Sequence, residues 1–213
     1  MSAAVTVAVI GVLVSGALAI VGVEARIRVL TAVFKPLATL LLFAVLGWPE
    51  TTYARFVAAG FVLSLIGDVA LLGSGNRAFI IGLAAFLLGH VAYVIAFIGA
   101  AVLSWPRIAV VSAAVLTMSL FALRAIWRGS AGMQGPVLAY ATVISTMVVT
   151  AWSTVGGPLP HALYAAVGAT LFYFSDLSLS LDKFWKPIPH GALLTMGVYW
   201  LGQLGIAWSA RGL

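Results

Sequence analysis

The chain has 213 residues, 63% of them hydrophobic and 8% charged, with a mean hydropathy of +1.17. Soluble domains are about half apolar and a quarter charged, so this composition excludes a soluble globule and indicates a polytopic membrane protein with little mass outside the bilayer. Zero cysteines exclude a disulfide framework, a thiolate metal site and a cysteine nucleophile; the net charge of +6 is spread over short loops, where it orients membrane spans rather than gripping nucleic acid.

A hydrocarbon core of about 30 Å is crossed by roughly 20 apolar residues of helix. Eight stretches meet that length, at about 3–23, 29–47, 54–72, 78–101, 106–126, 136–155, 161–181 and 189–209. The first has no basic segment ahead of it and is long enough to span, so it reads as a membrane helix rather than a cleaved signal. Turn residues separate the runs, as in Gly47-Trp48-Pro49, Gly73-Ser74-Gly75-Asn76, Ser104-Trp105-Pro106 and Gly156-Gly157-Pro158. Short loops force sequential antiparallel neighbours and leave no linker between domains. The expected fold is therefore an all-α integral membrane protein, one compact bundle of eight transmembrane helices over residues 1–213. No internal repeat of the kind found in many secondary transporters stands out.

An even number of spans places both termini on one side. The loops on the other side carry Arg26, Arg28, Arg77, Arg124, Arg128, Lys183 and Lys186, with Lys35 just inside a helix, whereas the terminal side carries Arg55, Arg107 and Arg211. Positive charge accumulates on the cytoplasmic side of short loops, which puts a multi-pass protein in the cell (inner) membrane with its termini outside.

Two aspartates, Asp68 in Leu65-Ile66-Gly67-Asp68-Val69 and Asp176 after Ser175, sit inside otherwise apolar runs. A carboxylate in lipid is costly and faces other helices or a wet cavity; the bland alternative, snorkelling to the headgroups, suits so short a side chain poorly. Counted from the expected helix ends, both lie about 6–8 Å below the charged face, and Lys35 enters from that face to a similar depth. Two carboxylates in unequal surroundings are the usual arrangement for one acid and one base. Lys35, before Pro36, is either an interfacial anchor or a partner for phosphate or for an aspartate.

His90, with Tyr93 one turn on, is either a neutral hydrogen-bonding residue between helices or part of the chemistry. Ser175 points about 100° away from Asp176 on a helix, which makes it a supporting donor rather than a nucleophile. Tyr199 and Gln203 share a face of the last helix and either line a cavity or bond to a neighbouring helix. His161 opens a helix on the opposite side as an interfacial residue. The histidines and aspartates show no His-x-x-x-His or Glu-x-x-His spacing, so no metal ligand set is assigned. Neither a Gly-x-Ser-x-Gly elbow nor a nucleotide-binding loop occurs.

Taken in order, Lys35-Pro36, Gly67-Asp68, the Phe86 to Tyr93 segment with His90, the Phe172 to Asp176 segment with Ser175, Asp182-Lys183-Phe184, Pro189-His190, and Tyr199 with Gln203 resemble the YhhN-like membrane proteins, a group that includes the lysoplasmalogenases. The resemblance covers about Lys35 to Gln203. It implies hydrolysis of the vinyl ether bond of a lysophospholipid, releasing a fatty aldehyde and a glycerophospho-headgroup, with no cofactor. Protonation at carbon gives an oxocarbenium ion that water captures to a hemiacetal. That course needs a general acid and a carboxylate to stabilise positive charge, as in glycoside hydrolysis. The resemblance assigns Asp68 and Asp176 to acid and base, and Lys35 and Lys183 to the phosphate. His90 and Tyr93 go to the chain or the water, and Ser175, Asp182, His190, Tyr199 and Gln203 to the surrounding substrate site. The partners expected are the lysolipid and the membrane, with no nucleic acid. Two rival readings remain: a carrier using the carboxylates as a relay, and a lipid-binding subunit without activity.

Overall fold

The computed structural model describes residues 2–212, which form eight helices: α1 (Ala3–Glu24), α2 (Arg28–Leu46), α3 (Thr52–Ala70), α4 (Asn76–Gly99), α5 (Trp105–Ile126), α6 (Gln134–Ser153), α7 (Ala162–Phe184) and α8 (Gly191–Ser209). Among the described residues there is no strand. Seven of the helices are long and apolar enough to cross a membrane. The remaining one, α8, matches α2 and α3 at 19 residues but carries Tyr199, Gln203 and four glycines, which lower its apolarity.

Boundaries follow local chemistry. Thr51 caps α3, its hydroxyl accepting the Ala54 amide at 3.2 Å. At the end of α7 the helix runs three residues beyond the expected stop and takes in Asp182 and Lys183; a cation in the last turn complements the helix dipole. Asp182 then turns back, Oδ1 accepting the Ile188 amide at 2.7 Å, and so organises the short loop into α8.

Consecutive helices α1–α2, α3–α4 and α7–α8 pack as antiparallel hairpins; α4 lies on α6, α6 also touches α5 and α7, and α8 leans on α1 and α2. The outer faces are apolar, as at Val7, Val110 and Phe121, because lipid rather than water covers them. Lipid tails are as apolar as leucine, so close backbone approach replaces hydrophobic burial as the force between helices. Gly168 of α7 and Gly202 of α8 illustrate it: a Cβ on Gly168 would stand 2.6 Å from the Gly202 carbonyl oxygen, and one on Gly202 2.8 Å from that of Gly168.

Gly168→Ala is therefore expected to force α7 and α8 apart at a cost of about 1–3 kcal/mol, seen as a fall of several degrees in Tm for the detergent-solubilised protein. Gly99→Ala, where an added Cβ meets nothing within 4 Å, is the matched control and leaves Tm unchanged.

Candidate functional site

Two polar centres occupy the interior, toward the end of the bundle that carries the α1–α2, α3–α4, α5–α6 and α7–α8 connections. The first is built on Asp68, which is 1% exposed. Its Oδ2 accepts the hydroxyls of Thr39 at 2.5 Å and Tyr199 at 2.9 Å. Its Oδ1 lies 3.5 Å from the Lys35 ammonium. Lys35 and Thr39 are one turn apart on α2, Ser64 and Asp68 one turn apart on α3, and Tyr199 and Gln203 one turn apart on α8, so each pair shares a helix face.

Gln203 extends this centre. Its amide nitrogen donates to Ser64 Oγ at 3.0 Å and to the Tyr199 hydroxyl at 3.3 Å, while its carbonyl accepts the Tyr93 hydroxyl at 2.7 Å. Trp200 Nε1 donates to Thr39 Oγ1 at 3.4 Å. Side chains from α2, α3, α4 and α8 are thus tied to one carboxylate. A buried charge persists when it is paired and hydrogen-bonded, and both oxygens of Asp68 are so occupied.

Asp176 is placed differently. Its side chain is 12% exposed and lines a cleft of about 70 Å³ enclosed by the end of α3 and by α4, α5, α6 and α7. The walls are mainly apolar, with Phe79 and Phe86 of α4, Ala122 of α5 and Ile144 of α6. The Tyr140 hydroxyl donates to Asp176 Oδ2, and His90 Nε2 stands 3.6 Å from that oxygen. The His90 ring is 1% exposed and wedged edge-on against Phe172, with centroids 4.6 Å apart, and against Tyr140 at 5.3 Å. Phe172 in turn packs edge-on against Tyr199 at 5.0 Å, and an aromatic layer of Phe86, Phe172 and Tyr199 stands between the two centres.

The structure gathers Lys35, Asp68, Tyr93, Tyr199 and Gln203 in the first centre and His90 with Asp176 in the second. The similar spacing from the helix ends expected for the two aspartates is corrected. Asp68 lies two residues from the end of α3 and Asp176 eight from the end of α7, or about 3 and 12 Å at the helical rise. α3 stops two residues earlier and α7 runs three residues later than expected. Ser175 turns away from Asp176 and donates to the Thr195 carbonyl of α8 at 2.8 Å, a bond between helices. Asp182 serves the α7–α8 loop, and Lys183 lies 4.9 Å from the ring of Phe79 at the cleft mouth. His190, 79% exposed, sits apart from both centres and pairs with Glu24 at 3.0 Å. His161 is exposed at the start of α7.

Thr39, Ser64, Trp200 and Tyr140 escaped the sequence reading. The first two sit one turn from a singled-out charge, a spacing that marks them in retrospect; Tyr140, a lone tyrosine in α6, carries no such mark. Among the described residues, no group of three or more His, Asp or Glu side chains has a metal-binding arrangement.

The same site residues fall within a region shared with known proteins. Lysoplasmalogenase TMEM86B of Rattus norvegicus is 31% identical over 176 residues, 83% of this chain and 70% of that protein. Lysoplasmalogenase TMEM86B of Homo sapiens is 30% identical over 162 residues, 76% of this chain and 66% of its own length. A lysoplasmalogenase of Mycobacterium bovis is 27% identical over 176 residues, with coverage of 76% and 67%. No solved structure matches the chain at a significant level. The model of the YhhN family matches residues 30–210, which takes in both polar centres and all but the first helix. The chain belongs to the YhhN family.

Proposed function

We propose that this protein is a membrane-embedded lysoplasmalogenase that cleaves the vinyl ether bond of a lysophospholipid to a fatty aldehyde and a glycerophospho-headgroup. The observation that carries the reading is the placement of Asp176: a carboxyl group in the wall of a mainly apolar cleft, which suits an alkenyl chain beside an acid. The names of the relatives support the substrate class.

In this reading Asp176 is the general acid. Tyr140 holds Oδ2, leaving Oδ1 to deliver a proton to the alkenyl carbon one removed from the ether oxygen. Asp68 does not line the cleft; paired with Lys35 beyond the aromatic layer, its carboxylate favours the oxocarbenium ion through a medium of low dielectric. Lys35 is engaged by Asp68, so the phosphate falls to the cations at the cleft mouth, foremost Lys183 beside Phe79. Tyr93, Tyr199 and Gln203 act through Asp68 by fixing its position. The excess of Lys and Arg around this mouth puts it on the cytoplasmic side of the cell membrane, with the termini outside.

The purified protein is expected to release aldehyde from a lysoplasmalogen and none from the 1-O-alkyl lysolipid, which has the same headgroup and chain but no double bond to protonate. Asp176→Asn is expected to lower kcat by about 10²–10⁴-fold with Tm unchanged; full turnover by a folded Asp176→Asn protein overturns the assignment. Absence of aldehyde from folded wild type, with lysolipid flux across liposomes, turns the reading into a carrier.

Lys35→Ala leaves the Asp68 charge buried without its cation and is expected to destabilise the protein by about 3–5 kcal/mol. Adding Asp68→Asn to Lys35→Ala recovers part of that loss, because the uncompensated charge is gone. Thermal unfolding of both single variants and the double variant checks the coupling.

A further inference from the structure

Among the described residues, His90 is the one buried side chain whose polar atoms are left over. Both ring nitrogens are buried, and neither reaches a hydrogen-bond partner among the described residues. Neighbouring buried polar groups are satisfied: Asp68 by three neighbours, Gln203 through both ends of its amide, Tyr93 by Gln203, and Ser175 by a backbone carbonyl. An unpaired buried imidazole loses its hydrogen bonds to water with nothing in return, so its placement calls for a ligand of its own. Nε2 points toward Asp176 Oδ2 at 3.6 Å, too long for a direct hydrogen bond and short enough for one small molecule to touch both atoms.

Resting on the lysoplasmalogenase reading, we infer that His90 Nε2, Asp176 Oδ2 and the Tyr140 hydroxyl form a water site at the back of the cleft, and that His90 is the base which activates this water for attack. Three polar partners around one point are what a buried water requires. His90 itself is absent from the cleft wall and 1% exposed, so a water on its Nε2 is screened from bulk solvent and held next to Asp176.

The protons then balance within the pair. The Asp176 carboxylic acid gives its proton to the alkenyl carbon, the carbon–carbon double bond is consumed, and positive charge develops on the adjacent carbon and the ether oxygen. The water oxygen bonds to that carbon while its proton passes to His90 Nε2, giving a neutral hemiacetal. On collapse, the hemiacetal hydroxyl proton returns to the Asp176 carboxylate. The carbon–oxygen bond to glycerol breaks, and the His90 imidazolium gives its proton to the departing oxygen. One water is consumed, aldehyde and alcohol leave, and both side chains recover their starting protonation. No oxidant, reductant or metal enters.

Two measurements on the full-length protein in detergent test this. The first uses ¹⁵N-histidine labelling and NMR cross-peaks between water and the ring nitrogens of wild type, with His90 assigned by its loss in His90→Gln; His161 and His190 are the other two histidines. A water cross-peak at the His90 ring is expected, and a dry ring overturns the site whatever the substrate is. The second compares kcat and KM for lysoplasmalogen in wild type and His90→Gln, together with the Kd of the unreactive 1-O-alkyl lysolipid. A fall in kcat of about 10²–10⁴-fold with Kd unchanged is expected for loss of a general base. Retention of kcat within about twofold, or a loss carried wholly by Kd, overturns the catalytic role. Wild type that shows the water cross-peak and makes no aldehyde keeps the water site while the substrate reading fails.

Discussion

The arrangement of the bundle depends on one buried charge. Asp68 is almost wholly shielded, and a carboxylate in that position without compensation would not persist. Its compensation comes from a distance in sequence: Lys35 and Thr39 on α2 and Tyr199 on α8. Shape alone specifies little between helices in lipid, because apolar surfaces meet tails and neighbouring helices with similar favour. A carboxylate that requires three named partners permits far fewer arrangements. Gln203 and Tyr93 carry the constraint on to α4, and the glycine contact between α7 and α8 brings α7 into the same frame.

From that frame the second centre inherits its geometry. His90 and Tyr93 lie on one α4 segment, so the hydrogen bond from Tyr93 to Gln203 also fixes where the imidazole stands. Phe172, one turn before Asp176 on α7, is packed against both His90 and Tyr199 and sets the rotation of α7. The rotation that seats Phe172 in the aromatic layer also turns Asp176 toward Tyr140 and Ser175 toward α8. Adjacent residues thus face opposite partners, as their 100° separation on a helix requires.

Much of this was legible in the sequence, and the limits have physical causes. Eight helices follow from apolar runs of bilayer length separated by glycine and proline turns, since lipid leaves the backbone little choice but helix. Charged residues in apolar surroundings marked Asp68, Asp176 and Lys35, because the cost of their burial demands a reason. The pairing of Lys35 with Asp68 was open in the sequence alongside a phosphate role, and the packing of α2 on α3 brings the ammonium 3.5 Å from Asp68. Asp182, Lys183 and His190, grouped by position in the chain, separate in space: one organises a loop, one stands at the cleft mouth and one pairs with Glu24. Tyr140 was invisible because a tyrosine in a membrane helix is neither costly nor rare; its meaning lies wholly in what α7 brings beside it.

The separation of the two carboxylates bears on the chemistry they can do. Were Asp68 and Asp176 in direct contact, they would share a proton, as paired carboxylates do when like charges cannot both ionise. Such a pair suits activation of one water between its members, and it would place Lys35 beside the acid, where a cation favours the ionised form and weakens a proton donor. The aromatic layer prevents this. Lys35 stays with Asp68, and Asp176 keeps the company of a phenol, an imidazole and a mainly apolar cleft. In the proposed reaction an anion and a separate donor suit an oxocarbenium route, because positive charge develops in the step that consumes the donor's proton. Phe172 and Tyr199 therefore do more than fill space: they hold the Lys35–Asp68 pair apart from Asp176.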